Sequence, residues 1–184
     1  PRLRPALIDR FCIIAERGDM EPLIVVNKLD LGRPARPALE ELAEAGREAL
    51  LCSAVSGEGL EELRAALAGR RSVLAGASGV GKSTLINALV PGTDLATRQI
   101  RMKDQRGRHT TSSASVHELA EGGLIVDTPG VRELAVEMDA LELQWYFPEL
   151  AERSGRCRFN DCTHTHEPDC AVREAVEAGD IPPR

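Results

Sequence analysis

Aromatic side chains are scarce in this 184-residue chain, where one Trp, one Tyr and three Phe serve the whole interior. Long apolar runs are missing as well: nothing approaches the ~20 residues of a spanning helix. Pro1-Arg2-Leu3-Arg4 begins no long apolar leader, so the reading is of a cytoplasmic protein without a membrane partner. Basic residues are in the minority, 23 against 29 acidic for a formal net charge of −6, which argues against a polyanion-binding surface spread over the chain. Internal repeats and low-complexity segments are absent. With 42% hydrophobic and 28% charged residues, disorder and collagen-like structure are excluded. The length allows one full domain and a small appendage.

Two local concentrations stand against that background. Arg98, Arg101, Lys103, Arg106 and Arg108 share one short stretch with a single acid, Asp104, enough positive charge to contact nucleic acid locally. Of the five cysteines, Cys12 and Cys52 stand alone, while Cys157, Cys162 and Cys170 crowd beside His164 and His166. An odd count in a chain read as cytoplasmic does not indicate a disulfide framework.

The hydrophobic pattern alternates between strand and helix. Short apolar runs at 22–26, 50–52 and 72–75 read as buried strands. Residues 37–50, 58–68 and 82–89 carry their apolar side chains on one stripe and read as helices. Ser115 to Leu119 and Leu124 to Val126 flank Glu121-Gly122-Gly123 and read as a hairpin, whereas 91–111 is polar and reads as a long loop. The order implies an α/β fold with a largely parallel sheet and an antiparallel edge. From about Asp139 onward the chain reads as helical and irregular.

Gly76-Ala-Ser78-Gly79-Val80-Gly81-Lys82-Ser83-Thr84 fits G-x-x-x-x-G-K-[ST] between a strand and a helix. Its glycines let backbone N–H groups converge on phosphate oxygens, Lys82 brings positive charge to them, and the Ser83 hydroxyl suits Mg²⁺. Such a P-loop indicates a nucleoside triphosphate but not which base. Asn27-Lys28-Leu29-Asp30 ends the first strand, and Asp30 is suited to accept from the ring N–H and exocyclic amino group of guanine, which adenine does not offer. A P-loop ATPase or kinase is the competing reading, which Asp30 opposes. Asp127-Thr128-Pro129-Gly130 follows another strand, with a carboxylate suited to Mg²⁺ through water and a Gly130 N–H suited to sense a γ-phosphate.

The order of these motifs is unusual, because N-K-x-D and Ser53-Ala54 precede the P-loop. The chain resembles circularly permuted GTPases, and among them the bacterial ribosome small subunit-dependent GTPase A family. The residues that carry the likeness are Gly76 to Asn87, Gly107-Arg108-His109-Thr110-Thr111, Asp127 to Gly130 with Glu133, and the terminal Cys/His cluster. The resemblance implies a P-loop GTPase fold over 1–138 and a zinc-binding helical domain over 139–184. It implies GTP hydrolysis stimulated by the small ribosomal subunit during late maturation, with that subunit and its rRNA as partners and a monomeric protein. It gives the Ser53-Ala54 backbone N–H a second contact, to the guanine oxygen, makes Thr111 a switch ligand of Mg²⁺ and His109 the residue that orients or activates water, beside Lys82. Val131 stands where many GTPases carry a glutamine. The family's N-terminal OB-fold has no counterpart before Asn27, and little sequence follows Cys170, so a truncated form of the three-domain plan is expected.

The terminal cluster, Cys157-x4-Cys162-x-His164-x5-Cys170, offers three thiolates and an imidazole, a set suited to one structural, tetrahedral Zn²⁺. His166 competes with His164 on chemistry alone, and the resemblance favours His164. A segment this small needs such a staple. A zinc-stapled RNA-binding module with a regulatory, weakly active guanine-nucleotide site is the alternative function.

Overall fold

A computed structural model describes residues 3–34, 36–90, 92–93, 95, 115–127 and 138–181. Five short strands are described, β1 (Ile24–Val26), β2 (Ala49–Leu51), β3 (Arg71–Leu74), β4 (Ser115–Glu118) and β5 (Leu124–Asp127). β1 pairs with β2 in parallel, and β5 lies between a parallel β3 and an antiparallel β4. Parallel pairings with an antiparallel edge agree with the sequence expectation, and the structure supplies which strands pair. They form two separate ladders, and among the described residues none joins β1 or β2 to β3, β4 or β5.

Among the described residues seven α-helices accompany them: α1 (Pro5–Arg17), α2 (Arg36–Glu44), α3 (Leu60–Leu67), α4 (Lys82–Leu89), α5 (Ala140–Leu143), α6 (Pro148–Ser154) and α7 (Ala171–Ala178). Helix α1 was not read from the pattern, although its ends are marked: Pro5 sits in the first turn, and Gly18 follows the last with its N–H on the Ile14 and Ala15 carbonyls. Helix α2 stops earlier than its apolar stripe predicts. Gly46 takes a left-handed φ of +67°, and the Gly46 and Arg47 N–H groups cap the Ala43 and Leu42 carbonyls at 2.9 Å. Leu50 therefore lies in β2 and not in a helix. None of the helices is long and apolar enough to cross a membrane among the described residues.

The chain groups into two compact units that do not follow its order. One comprises 1–2, 23–34 and 49–134; the other comprises 3–22, 35–48 and 135–184. Residues 3–22 and 35–48, which the sequence reading kept with the nucleotide-binding part, thus group with the C-terminal segment. In the first unit α3 and α4 bury Leu63, Leu85, Ile86 and Leu89 against Ile125 of β5, with Leu50 of β2 and Val25 of β1 packed on the same cluster. In the second, Cys162, Cys170, Val172, Ala175 and Ile181 form a small core.

Candidate nucleotide-binding site and metal cluster

β3 ends at Leu74 and α4 begins at Lys82, so Gly76 to Gly81 form the connecting loop, as the motif predicts. Gly76, Gly79 and Gly81 all take positive φ. At Gly81, with φ +98°, a Cβ would also stand 2.6 Å from Asn27 Nδ2, so the third motif glycine is required both by backbone conformation and by space. Lys82 Nζ donates to the carbonyls of Gly76 at 2.7 Å and Ala77 at 3.2 Å. Ser83 and Thr84 follow in the first turn of α4, half-buried, while Ser78, Gly79 and Val80 are exposed at the loop tip.

The Asn27-to-Asp30 loop is tied to this one by side chains. Asn27 Nδ2 donates to the Val80 carbonyl at 3.3 Å. Its Oδ1 accepts from the Lys28 N–H at 2.7 Å and the Ala54 N–H at 3.0 Å. One amide therefore joins the N-K-x-D, S-A and P-loop segments. Lys28, left-handed at φ +74°, extends its ammonium to the Gly79 carbonyl at 2.6 Å. Ser53 is fully buried; its Oγ donates to Asp30 Oδ1 at 2.5 Å and accepts from the Val55 and Ser56 N–H groups. Asp30 itself is exposed, its carboxylate held by a buried hydroxyl. The Ala54 N–H, which the resemblance gives to a guanine oxygen, is held here by Asn27.

Asp127 ends β5, in register with Leu74 of β3 and Ser115 of β4, so its backbone sits at the same end of the sheet as the P-loop. Asn87 of α4 donates to the Leu95 carbonyl and accepts from the Leu95 N–H, both at 3.0 Å, which anchors the chain at Leu95 after the P-loop helix. His109, Thr111, Gly130 and the arginines and lysine of 98–108 lie outside the described residues.

In the second unit the ligand atoms of Cys157, Cys162, His164 and Cys170 all fall within 4.8 Å of one another. His164 Nδ1 is 3.7 Å from Cys157 Sγ and 3.4 Å from the sulfurs of Cys162 and Cys170, and the sulfurs of Cys157 and Cys170 are 4.0 Å apart. Donors about 2.3 Å from a central ion at tetrahedral angles stand about 3.8 Å apart, so the residues fit a four-coordinate ion. His166 is exposed and bonds to the Thr165 hydroxyl instead. Burial, followed by hydrogen bonding with Cys170 and Cys157, pushes the Cys162 thiol up to about 11, against a bond from the His164 backbone. A bound cation would act the other way, by stabilising the thiolate. Burial also holds His164 below its ordinary value, partly opposed by the Glu167 charge, which keeps the imidazole neutral and fit to ligate.

Two residues that spacing does not reveal support this cluster. Gln144, buried, places Oε1 2.9 Å from His164 Nε2. Glu167 accepts from the Thr163 hydroxyl and N–H at 2.6 and 2.8 Å and from the Thr165 and His166 N–H groups at 3.1 Å. Gln144 is too distant in sequence to be found by a ligand pattern, whereas Glu167 lies inside one and carried no signal of its own.

The family model described as RsgA GTPase matches residues 1–137. The chain belongs to the RsgA GTPase family. Its relatives include the small ribosomal subunit biogenesis GTPase RsgA of Gemmatimonas aurantiaca, 47% identical over all of this chain and 61% of the relative. That of Thermotoga maritima is 42% identical over 98% of this chain and 62% of the relative. Among solved structures, YjeQ from Thermotoga maritima matches with TM-score 0.75 and 37% identity, covering 98% of this chain and 61% of that one. YloQ, described as a circularly permuted GTPase, matches with TM-score 0.75 and 31% identity over 99% and 59%. The permuted GTPase fold is thereby shown. The chain spans about three fifths of the length of these RsgA relatives.

Proposed function

We propose that this chain binds GTP across the loops joined by Asn27, hydrolyses it, and uses the bound state to act on the small ribosomal subunit during its maturation. The observation that carries this reading is the Asn27 amide, which makes the base-reading and phosphate-binding loops one site. Asp30, oriented by Ser53, accepts from the guanine N–H groups; adenine would leave it unpaired. Lys82 exchanges the carbonyls of Gly76 and Ala77 for phosphate oxygens. Ser83, Thr111 and Asp127 are the residues that would hold Mg²⁺, which would supply positive charge to the phosphates. Gly130 senses the terminal phosphate, and His109 orients the attacking water in place of the glutamine that Val131 replaces. Arg98, Arg101, Lys103, Arg106 and Arg108 meet rRNA. The Cys₃His cluster holds Zn²⁺ with no position left open for catalysis. The domain limits of the sequence reading, 1–138 and 139–184, a monomeric state and a cytoplasmic location belong to the same proposal.

Competition against labelled GDP tests the base: GTP should displace it and ATP should fail even at roughly 100-fold excess. Turnover is then measured with and without small subunits at low and high salt. Stimulation that fades as salt rises is expected, because contacts to phosphate backbones are lost steeply with salt. Equal competition by ATP would remove the guanine assignment, and an unchanged rate at every salt concentration would remove the subunit. His109→Ala should lower stimulated turnover strongly while leaving GTP affinity nearly intact; matching single-turnover rates would take His109 out of the mechanism.

A further inference from the structure

The proton on His164 is located by the hydrogen bonds around the ring. Gln144 Nε2 lies 2.9 Å from the Leu141 carbonyl, a group that only accepts, so the amide nitrogen faces Leu141 and Oε1 faces the imidazole. Oε1 carries no proton, and at 2.9 Å from Nε2 it requires Nε2 to donate. A neutral imidazole has one N–H. Nδ1 is thus left with its lone pair directed among the sulfurs of Cys157, Cys162 and Cys170 at 3.4–3.7 Å.

Gln144 is 7% exposed, so water competes little for its amide. The turn that carries it is fixed from the other side: Arg47 Nη2 donates to the Tyr146 carbonyl at 3.3 Å, and Arg47 is paired with Glu16 at 2.9 Å. His164 has a left-handed backbone at φ +62° without being glycine, a conformation that persists only where surrounding contacts impose it. The Gln144 bond is one such contact, made through the ring.

We infer that Gln144 is a positioning residue for the metal: by accepting from Nε2–H it selects the tautomer and ring orientation that present Nδ1 as the fourth ligand. The inference rests on the Cys₃His cluster being a metal site. It assigns a role in metal retention to a residue far from the ligand motif in sequence, on a turn shared with the Arg47 ion pairs.

The test uses the full chain, with Zn²⁺ competed against a chelator of known affinity and Co²⁺ as a spectroscopic substitute. Gln144→Leu keeps the size but not the acceptor, and should weaken Zn²⁺ by about 10–100-fold with unchanged helical circular dichroism. Gln144→Glu keeps an acceptor and should bind more tightly than Gln144→Leu. In ¹⁵N spectra of the unsubstituted zinc form, His164 should show metal on Nδ1 and a protected proton on Nε2, and Gln144→Leu should lose the protection. Zinc affinity of Gln144→Leu within about twofold of the parent, or metal on Nε2, overturns the inference. Should Gln144→Leu fail to fold, Gln144→Glu and the spectrum of the parent decide: weak binding by Gln144→Glu or an unprotonated Nε2 sinks it. A parent chain that retains neither Zn²⁺ nor Co²⁺ refutes the metal reading itself, an outcome distinct from metal bound without help from Gln144.

Discussion

Ser53 carries several tasks in one atom: its Oγ meets Asp30 and two backbone N–H groups while the residue is fully buried. Ser53→Ala removes that acceptor and frees the Asp30 carboxylate to rotate. A loss of about 1–3 kcal/mol in unfolding free energy is expected, with GTP affinity falling more than ATP affinity because the base-reading group loses its aim. Denaturant titration and nucleotide competition on the same preparation check both halves. Gly81→Ala acts differently. The new Cβ would need to share space with Asn27 Nδ2 and adopt φ +98°, at about 1–2 kcal/mol for the conformation alone. The displaced Asn27 then releases Val80, so nucleotide affinity is expected to fall at least about tenfold, measured by competition; an affinity equal to the parent would show that the Asn27 bridge does not shape the site.

At the scale of the element, the segment from Cys157 to Cys170 is a loop without helix or strand of its own, and it is held by the convergence of its Cys and His side chains and by Glu167. The Glu167 carboxylate is kept well below its ordinary range by the Thr163 hydroxyl first, then by backbone N–H groups. A depressed carboxylate contributes stability that is complete above its unfolded value, near 4.5, and disappears as pH falls toward the folded value. Glu167→Gln should therefore melt below the parent at neutral pH, and the gap should narrow as pH falls to about 3. Thiolate protonation releases metal from both proteins alike, so the difference isolates Glu167; a gap that widens in acid contradicts the assignment. Chelation is expected to loosen this loop and α7 first, seen as faster amide exchange at 157–178, because Cys170 caps α7 by accepting from the Arg173 N–H while its sulfur is also one of the proposed ligands.

At the scale of the whole molecule, the chain passes between its two compact units more than once, since 3–22 and 35–48 belong with the C-terminal segment. Arg47 is the charged centre of that second unit. Its buried guanidinium meets Asp9 at 3.5 Å and Glu16 at 2.9 Å from α1 as well as the Tyr146 carbonyl. Arg47→Met leaves the Asp9 and Glu16 carboxylates without their shared cation, and a loss of about 3–5 kcal/mol is expected, read from the denaturation midpoint. Adding Asp9→Asn and Glu16→Gln should recover part of it, since the uncompensated charges then go as well. No recovery would mean that packing of the guanidinium, not charge balance, sets the cost.

The sequence by itself determined the fold class, the motif order that marks permutation, and a Cys/His cluster of metal-ligating type, because each is written in short contiguous patterns whose chemistry is local; that His164 and not His166 meets the sulfurs of Cys162 and Cys170 is visible only in the folded arrangement. A glycine-rich turn before a helix, or three thiols near an imidazole, has few other uses. The alternation of strands with helices and the antiparallel edge were legible for the same reason, from short apolar runs and a Glu-Gly-Gly turn, whereas the parallel pairs join strands far apart in the chain. Only the tertiary structure decided the rest. That one Asn27 amide joins three loops, that Gln144 meets His164, that Arg47 gathers α1 to the Tyr146 turn and that α2 ends at Gly46 all depend on groups brought together across long stretches of chain or on a single backbone angle. Hydrogen bonds between such distant groups leave no period in a sequence, because nothing in the spacing of residues records which side chains will share a buried space.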